Sequence, residues 1–176
     1  MRSALIPALA TVLLSACVLQ SDQPLFSDAE ATPLLGSIAQ DFAVFTDQDG
    51  VWVPGDAPMV TVIPEGRHYL VAEPATAGDP AGAERYYFVP LDATHSLIQA
   101  VEKGTADYAI ATWNGQELLV SVLDCDALKS HAIASKIVQF QDDDCALRPA
   151  TTPALDLFRG LITAAPPPGL RLVRSR

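Results

Sequence analysis

The chain has 176 residues, 49% of them apolar and 18% charged, a size and balance that suit one domain with a sizeable core. Acidic side chains outnumber basic ones by 21 to 11, and the net charge of −10 argues against nucleic acid and anionic lipid as partners, because both would repel it. After the first sixteen residues no segment approaches the run of about 18 apolar residues that a membrane-spanning helix needs.

Taken in chain order, Arg2 gives a positive start and residues 4–14 form an apolar run. The run is too short for a bilayer core of about 30 Å but long enough for the apolar part of an export signal. Leu14-Ser15-Ala16-Cys17 then sets small residues before a cysteine. Residues 1–17 resemble the signal peptide and lipobox of bacterial lipoproteins. The resemblance implies cleavage after residue 16, lipid on the Cys17 thiol, and a cell-envelope protein whose membrane contact is that lipid. Loss of Arg2 takes the net charge from −10 to −11. Val18, where retained lipoproteins carry aspartate, implies by the same resemblance the outer membrane, with the domain facing the periplasm. An ordinary signal with an incidental cysteine, or a buried N-terminal helix, are the alternatives.

Residues 18–33 read as a tether, polar and aperiodic with two prolines, so residues 17–40 are expected to be a lipidated tether with a short helix. Ser27-Asp28-Ala29-Glu30 has capping-box spacing, and Leu34, Leu35 and Ile38 would share one face of that helix. A single β-rich domain is expected over 41–165. Its β-branched and aromatic runs predict strands at 42–45, 51–53, 60–63, 68–72, 86–89, 96–101, 108–112 and 118–123. Asn114-Gly115 predicts a tight hairpin, Asp47-Gln48-Asp49-Gly50 a second turn, and residues 74–82 an exposed loop.

The apolar content of 108–112 and 118–123 leaves few outward polar positions, so both faces of that hairpin are expected to be covered. The fold class is therefore α+β, mainly antiparallel β in a curled sheet or sandwich, with short helices near the two ends. Asp126 would cap a helix over 127–134, residues 137–140 would be extended, and Leu155, Phe158, Leu161 and Ile162 predict a helix after Thr152-Pro153. Pro166-Pro167-Pro168-Gly169 should stop it, leaving 166–176 as a Pro-rich basic tail with Arg171, Arg174 and Arg176 in solvent. Residues 118–161, with a strand, Asp-Cys-Asp, an acidic cysteine loop and an amphipathic helix, also resemble the C-terminal half of small uncharacterised exported proteins of proteobacteria. That resemblance implies a fold element and no activity.

Once Cys17 carries lipid, Cys125 and Cys145 form an even pair in an oxidising compartment, and a disulfide is preferred over a metal pair or a reactive thiol. No catalytic site is assigned. His68, His95 and His131 are the only histidines, and no nucleophile elbow, zinc-protease motif or phosphate loop is present. No cofactor is expected. For a metal, Asp124, Asp126, Asp142, Asp143 and Asp144 crowd the two cysteines as a weak cation candidate, against the alternative of a solvated acidic edge, and Asp47-x-Asp49-Gly50 fits a turn better than a calcium loop. Packing is preferred over a ligand platform for Trp52, Trp113, Tyr69, Tyr86, Tyr87 and Phe88. The expected role is a membrane-anchored, non-catalytic binding or accessory module, with an envelope protein as a candidate partner; a histidine-based periplasmic hydrolase or a purely structural lipoprotein are the alternatives.

Overall fold

A computed structural model describes residues 18–72, 84–123, 125–131, 137–141, 144–148, 151–162 and 167–175. Their strands are β1 (Gln20–Ser21), β2 (Gln40–Gln48), β3 (Val51–Glu65), β4 (His68–Ala72), β5 (Glu84–Pro90), β6 (His95–Glu102), β7 (Thr105–Trp113), β8 (Glu117–Val122), β9 (Val138–Gln141), β10 (Asp144–Leu147) and β11 (Leu170–Arg174). Helix α1 (Cys125–Lys129) follows β8, and α2 (Thr151–Ile162) precedes β11.

Strands β2 to β8 form an antiparallel meander, each paired with its predecessor, and β11 enters antiparallel between β8 and β2. The ring β2-β3-β4-β5-β6-β7-β8-β11 is thus closed, an eight-stranded barrel without a free edge. The mainly antiparallel character stands, whereas the α+β curled sheet or sandwich is corrected to this barrel. Closure depends on pairing residues more than a hundred positions apart, such as Leu172 with Val44, which no local pattern encodes.

The two expected turns form. Gln48 pairs with Val51, and Asp49 (φ 54°) and Gly50 (φ 84°) between them take the left-handed backbone that a two-residue hairpin loop requires. In the β7–β8 turn the Asn114 side-chain oxygen accepts from the amides of Gln116 (3.0 Å) and Glu117 (2.8 Å). The strands expected at 51–53 and 60–63 are one strand, β3. Pro54, Gly55 and Pro58 read as a break, but they sit where register against β2 shifts between Ala43 and Phe45, a bulge that tolerates them. The loop expected at 74–82 lies outside the described residues.

Period-two alternation divides the core in two. Phe42, Val44, Val60, Val62, Tyr69, Val71, Tyr86, Phe88, Ile98, Ala109, Val120 and Leu172 point into the barrel. Leu97, Tyr108 and Ile110 point outward from β6 and β7 and are buried under Leu157, Phe158 and Leu161 of α2 and under Cys125, Val138 and Cys145. This second core covers the outer face that the hairpin's apolar content anticipated.

Two end segments differ from expectation. In place of the solvated tail expected over 166–176, β11 is a barrel stave. Leu170 and Leu172 are buried inward, Arg171 pairs with Glu117 across the strand pair, and the Arg174 guanidinium lies 5.1 Å from the Trp113 ring centre. The arginines accompany a strand because their stems and planes cover aromatic rings while their charges reach partners. In place of the tether with a short helix expected over 17–40, residues 18–35 form a strap on the barrel in which Val18, Leu19, Phe26, Ala31 and Leu35 are buried. The capping-box bonds exist, with the Ser27 amide donating to Glu30 Oε2 at 2.9 Å, yet they close a turn rather than start a helix.

Candidate functional site

The strap begins in the barrel wall. Where β8 ends, Val18 joins the interior cluster and Leu19 the outer one; the Leu19 amide donates to Leu123 O and its carbonyl accepts from the Tyr108 amide, each at 3.1 Å. Gln20 and Ser21 then pair with Asp107 and Ala106 of β7, and β1 also carries β10 on its other side. Ser21 Oγ lies 2.8 Å from the Tyr108 hydroxyl, whose pKa burial pushes up to about 12. Cys17 itself lies outside the described residues, but it is joined directly to this fixed segment.

Farther along, Gln99 is fully buried on the outer face of β6 and holds the strap. Its Oε1 accepts from the amides of Leu25 (2.8 Å) and Phe26 (2.9 Å), and its Nε2 donates to Phe26 O (2.8 Å). The strap ends at the opposite mouth. There the Tyr69 hydroxyl accepts from the Leu35 amide at 2.9 Å and donates to Gly36 O at 3.0 Å, which seats Leu35 in the interior cluster. The Arg174 Nη2 also donates to Leu35 O at 3.4 Å.

Inside the barrel is a cavity of about 30 Å³, counted as space open to the centre of a water-sized sphere, walled by Leu35, Tyr69, Tyr86, Phe88 and neighbouring aliphatic groups. Its walls are apolar throughout, so it offers a water no partner. An engineered apolar cavity that takes benzene measures about 150 Å³. At a fifth of that, the barrel interior is a packed core rather than a ready ligand chamber. Tyr69, Tyr86 and Phe88 are core residues, in agreement with the packing reading, and Tyr69 meets Phe88 edge to face.

Comparison with protein-family models, with curated proteins and with solved structures gave no match.

The three histidines lie apart from this cavity. His68 sits on the outer face of β4, with Nδ1 2.9 Å from Asp28 and Nε2 2.9 Å from Glu65, and its ring stacks on Tyr87. His95 shares Nδ1 with Asp92 and Thr94 in the β5–β6 turn; backbone hydrogen bonds from Thr94 and His95 hold the Asp92 carboxyl well below the usual range. His131 packs against α2, where a side chain added at Gly160 would meet its Nε2 at 2.9 Å. Both ring nitrogens of His68 face carboxylates, and the Thr94 hydroxyl beside His95 Nδ1 lies within hydrogen-bond distance of the Asp92 carboxylate as well.

Cys125 and Cys145 are joined by a disulfide, with Cα atoms 5.5 Å apart, as expected of the even pair. It ties α1 to β10. Of the surrounding acidic residues, Asp126 is engaged by Lys129 at 2.9 Å, the backbone of Asp144 lies in β10, and Asp124, Asp142 and Asp143 fall outside the described residues. Among the described residues no three ligating side chains converge. The Asp47 carboxylate accepts from the Gly50 amide at 2.8 Å, which is the turn reading of that motif.

A buried polar group that the sequence did not mark lies at the β6–β7 end of the barrel. Glu84 and Asp107 point inward by strand parity, and Glu84 is 4% exposed, accepting a hydrogen bond from the Tyr86 hydroxyl. Removal from water raises both carboxyl pKa values, and nearby Glu102 raises them further. The only trace in the sequence is an acidic residue at an inward position of each strand, which is visible once the alternation phase is known.

Proposed function

We propose that the chain is an envelope lipoprotein anchored through Cys17 and that it is a non-catalytic accessory module, making its contacts through the outside of a filled barrel. The observation that supports this reading is the 30 Å³ interior: too small for a ligand chamber and without a histidine on its walls, it leaves the outer surface as the place where the molecule meets others. The outer membrane, with the domain in the periplasm, is the location this reading carries from the signal and from Val18.

The purely structural alternative draws on a separate observation. Among the described residues the only exposed large hydrophobics are Ile38 and Val51, and they belong to opposite ends of the barrel, so they make no contiguous apolar patch.

Growth of the native host with radiolabelled palmitate tests the anchor. Label on the wild-type protein that is lost, together with membrane fractionation, in Cys17→Ser is the expected result. A Cys17→Ser protein that still fractionates with membranes, or an unlabelled wild-type protein, overturns it.

A further inference from the structure

We infer that His68 is a proton-operated clasp between the strap and the barrel: with one proton beyond a neutral ring and two carboxylates it fastens the 27–30 turn of the strap to β4, and without that proton the turn comes away. The clasp goes beyond the anchor reading and does not depend on lipid at Cys17.

The neutral site is one hydrogen short. His68 opens β4 beside the inward Tyr69, with its ring on the outer face and 11% of its side chain exposed. Nδ1 is 2.9 Å from Oδ1 of Asp28 in the strap, and Nε2 is 2.9 Å from Oε2 of Glu65 at the end of β3. Carboxylates only accept hydrogen bonds, and a neutral imidazole has one N–H to give, so the two contacts together need two hydrogens. An imidazolium supplies both. A neutral ring supplies one and needs a protonated carboxyl for the other. Either way the closed site holds one proton more than a neutral imidazole between two carboxylates. Without it a nitrogen lone pair faces a carboxylate oxygen at 2.9 Å, and that contact repels.

The other charged and titratable groups around the ring do not replace that proton. Among the described residues Asp28 and Glu65 form no ion pair except with His68. Arg67, in the β3–β4 turn, donates from Nη1 to Ala29 O at 3.3 Å, and Arg85 on β5 acts on Tyr87. Tyr87 stacks on the His68 ring with centroids 5.0 Å apart; burial and the charge of Asp28 raise its pKa, against Arg85 and with Glu65, so the phenol stays neutral while an imidazole titrates. Glu30 of the strap accepts from the amide and hydroxyl of Ser27.

The clasp lies between the strap's two firm attachments, Gln99 on Leu25 and Phe26 and Tyr69 on Leu35. Between them the Glu30 and Ala31 amides donate to Ser27 O, and the Thr32 amide reaches Phe88 O at 2.8 Å. Two side chains tie the 27–30 turn to β4 and the turn before it: His68 through Asp28, and Arg67 through Ala29 O. Arg67 keeps its charge throughout, so the response to protons belongs to His68 and its two carboxylates. The closed turn binds the extra proton more tightly than the open one, so the clasp is complete in mild acid and is lost as pH rises.

Hydrogen exchange of the full chain, corrected for the intrinsic pH dependence of exchange, tests the clasp at the Glu30, Ala31 and Thr32 amides. Raising the pH from about 5.5 to about 7.5, within the range where imidazoles change charge, should lower their protection about fivefold relative to Leu25 and Phe26, the strength of a pair whose carboxylates are partly exposed. Asp28→Asn separates the clasp from packing. Its carboxamide donates to Nδ1 while Nε2–H donates to Glu65, so a neutral ring makes both bonds, and protection should persist at the higher pH. His68→Gln, which cannot gain a proton, should leave the three amides equally exposed at both pH values. Wild-type protection that does not change with pH, a loss shared equally by Leu25 and Phe26, or wild-type pH dependence in either variant overturns the clasp.

Discussion

The Tyr86 hydroxyl donates its hydrogen bond to Glu84 two residues earlier on the same strand, and both side chains are turned into the barrel, away from water. A carboxylate is thereby placed at the end of an apolar core with a phenol as its partner. Burial, first, and the charges of Glu84 and its neighbours push the Tyr86 pKa well above its usual value, so it stays a donor. Burial raises Glu84 as well, opposed by the Tyr86 bond and reinforced by Glu102 and Asp107.

Folding stability should therefore fall as pH rises above the ordinary carboxylate value of 4.5 and through the raised one. A carboxyl whose pKa is raised in the folded state binds its proton more tightly there than in the unfolded chain. Its contribution is complete below the ordinary value of 4.5 and is lost as pH passes through the raised one. Glu30 and Asp92, both lowered, lose their contributions only below the ordinary carboxylate range and act outside this window. Relief of net negative charge on acidification works in the same direction, so the comparison is with Glu84→Gln, which keeps the general charge effect and should reduce the slope. Urea unfolding at several pH values measures it; an unchanged slope in Glu84→Gln would remove Glu84 as the cause.

Tyr86→Phe should cost about 2 kcal/mol at pH 7.5, because it leaves a buried carboxylate without its donor. At pH 5, with Glu84 carrying more of its proton, the cost should be smaller. Equal losses at the two pH values, read from urea midpoints, would contradict the pairing.

Gln99→Leu should release the strap while leaving the barrel closed. It removes one acceptor and one donor from the Leu25 and Phe26 backbone and leaves the Phe26 amide and carbonyl unsatisfied, while the Leu25 amide keeps the Tyr108 hydroxyl at 3.3 Å, at a cost of about 3 kcal/mol. Hydrogen exchange should accelerate at the Leu25 and Phe26 amides more than at β6 and β7. Uniform acceleration would mean that Gln99 supports the barrel itself.

How far these features were legible depends on the range of the interactions behind them. Residues 68–72 and the Asn114 turn were readable because alternation and turn chemistry act within a few positions. The disulfide was readable because the lipid on Cys17 that the signal resemblance implies would leave those two cysteines only each other. Closure was hidden, since β11 looks like a tail until Leu170 and Leu172 are placed between β8 and β2 and Arg174 is laid over Trp113. The strap was hidden for a related reason. Val18, Leu19, Phe26 and Leu35 are too widely spaced to show a period, and each is buried by a different part of the barrel. Glu84 and Gln99 could not be identified, because an isolated polar residue in a strand reads as solvated until the phase of the strand is fixed.

Reduction of Cys125–Cys145 should lower stability by about 3 kcal/mol, the chain-entropy value for a bridge spanning 20 positions. Because the bond ties α1 to β10 outside the ring, the second core should open first, with faster hydrogen exchange in β9 and β10 than in β4 and β5. Urea unfolding with and without a reductant, compared with Cys125→Ala/Cys145→Ala, gives the magnitude. Loss of the whole barrel on reduction would show that the excursion and the ring unfold as one unit.

Leu172 tests the closure itself. It is 2% exposed on the inward face of β11, paired with Val44 on one side and Leu118 on the other. Leu172→Ala should cost 2 to 5 kcal/mol, roughly the range for a buried leucine, whereas a residue in a solvated tail would cost almost nothing. Deleting residues 170–176 goes further and leaves the facing edges of β2 and β8 with unpaired backbone groups. Such edges pair with other chains, so the truncated protein should elute as oligomers or aggregate in size-exclusion chromatography. A monomeric truncation of unchanged stability would mean that the ring does not need its eighth stave.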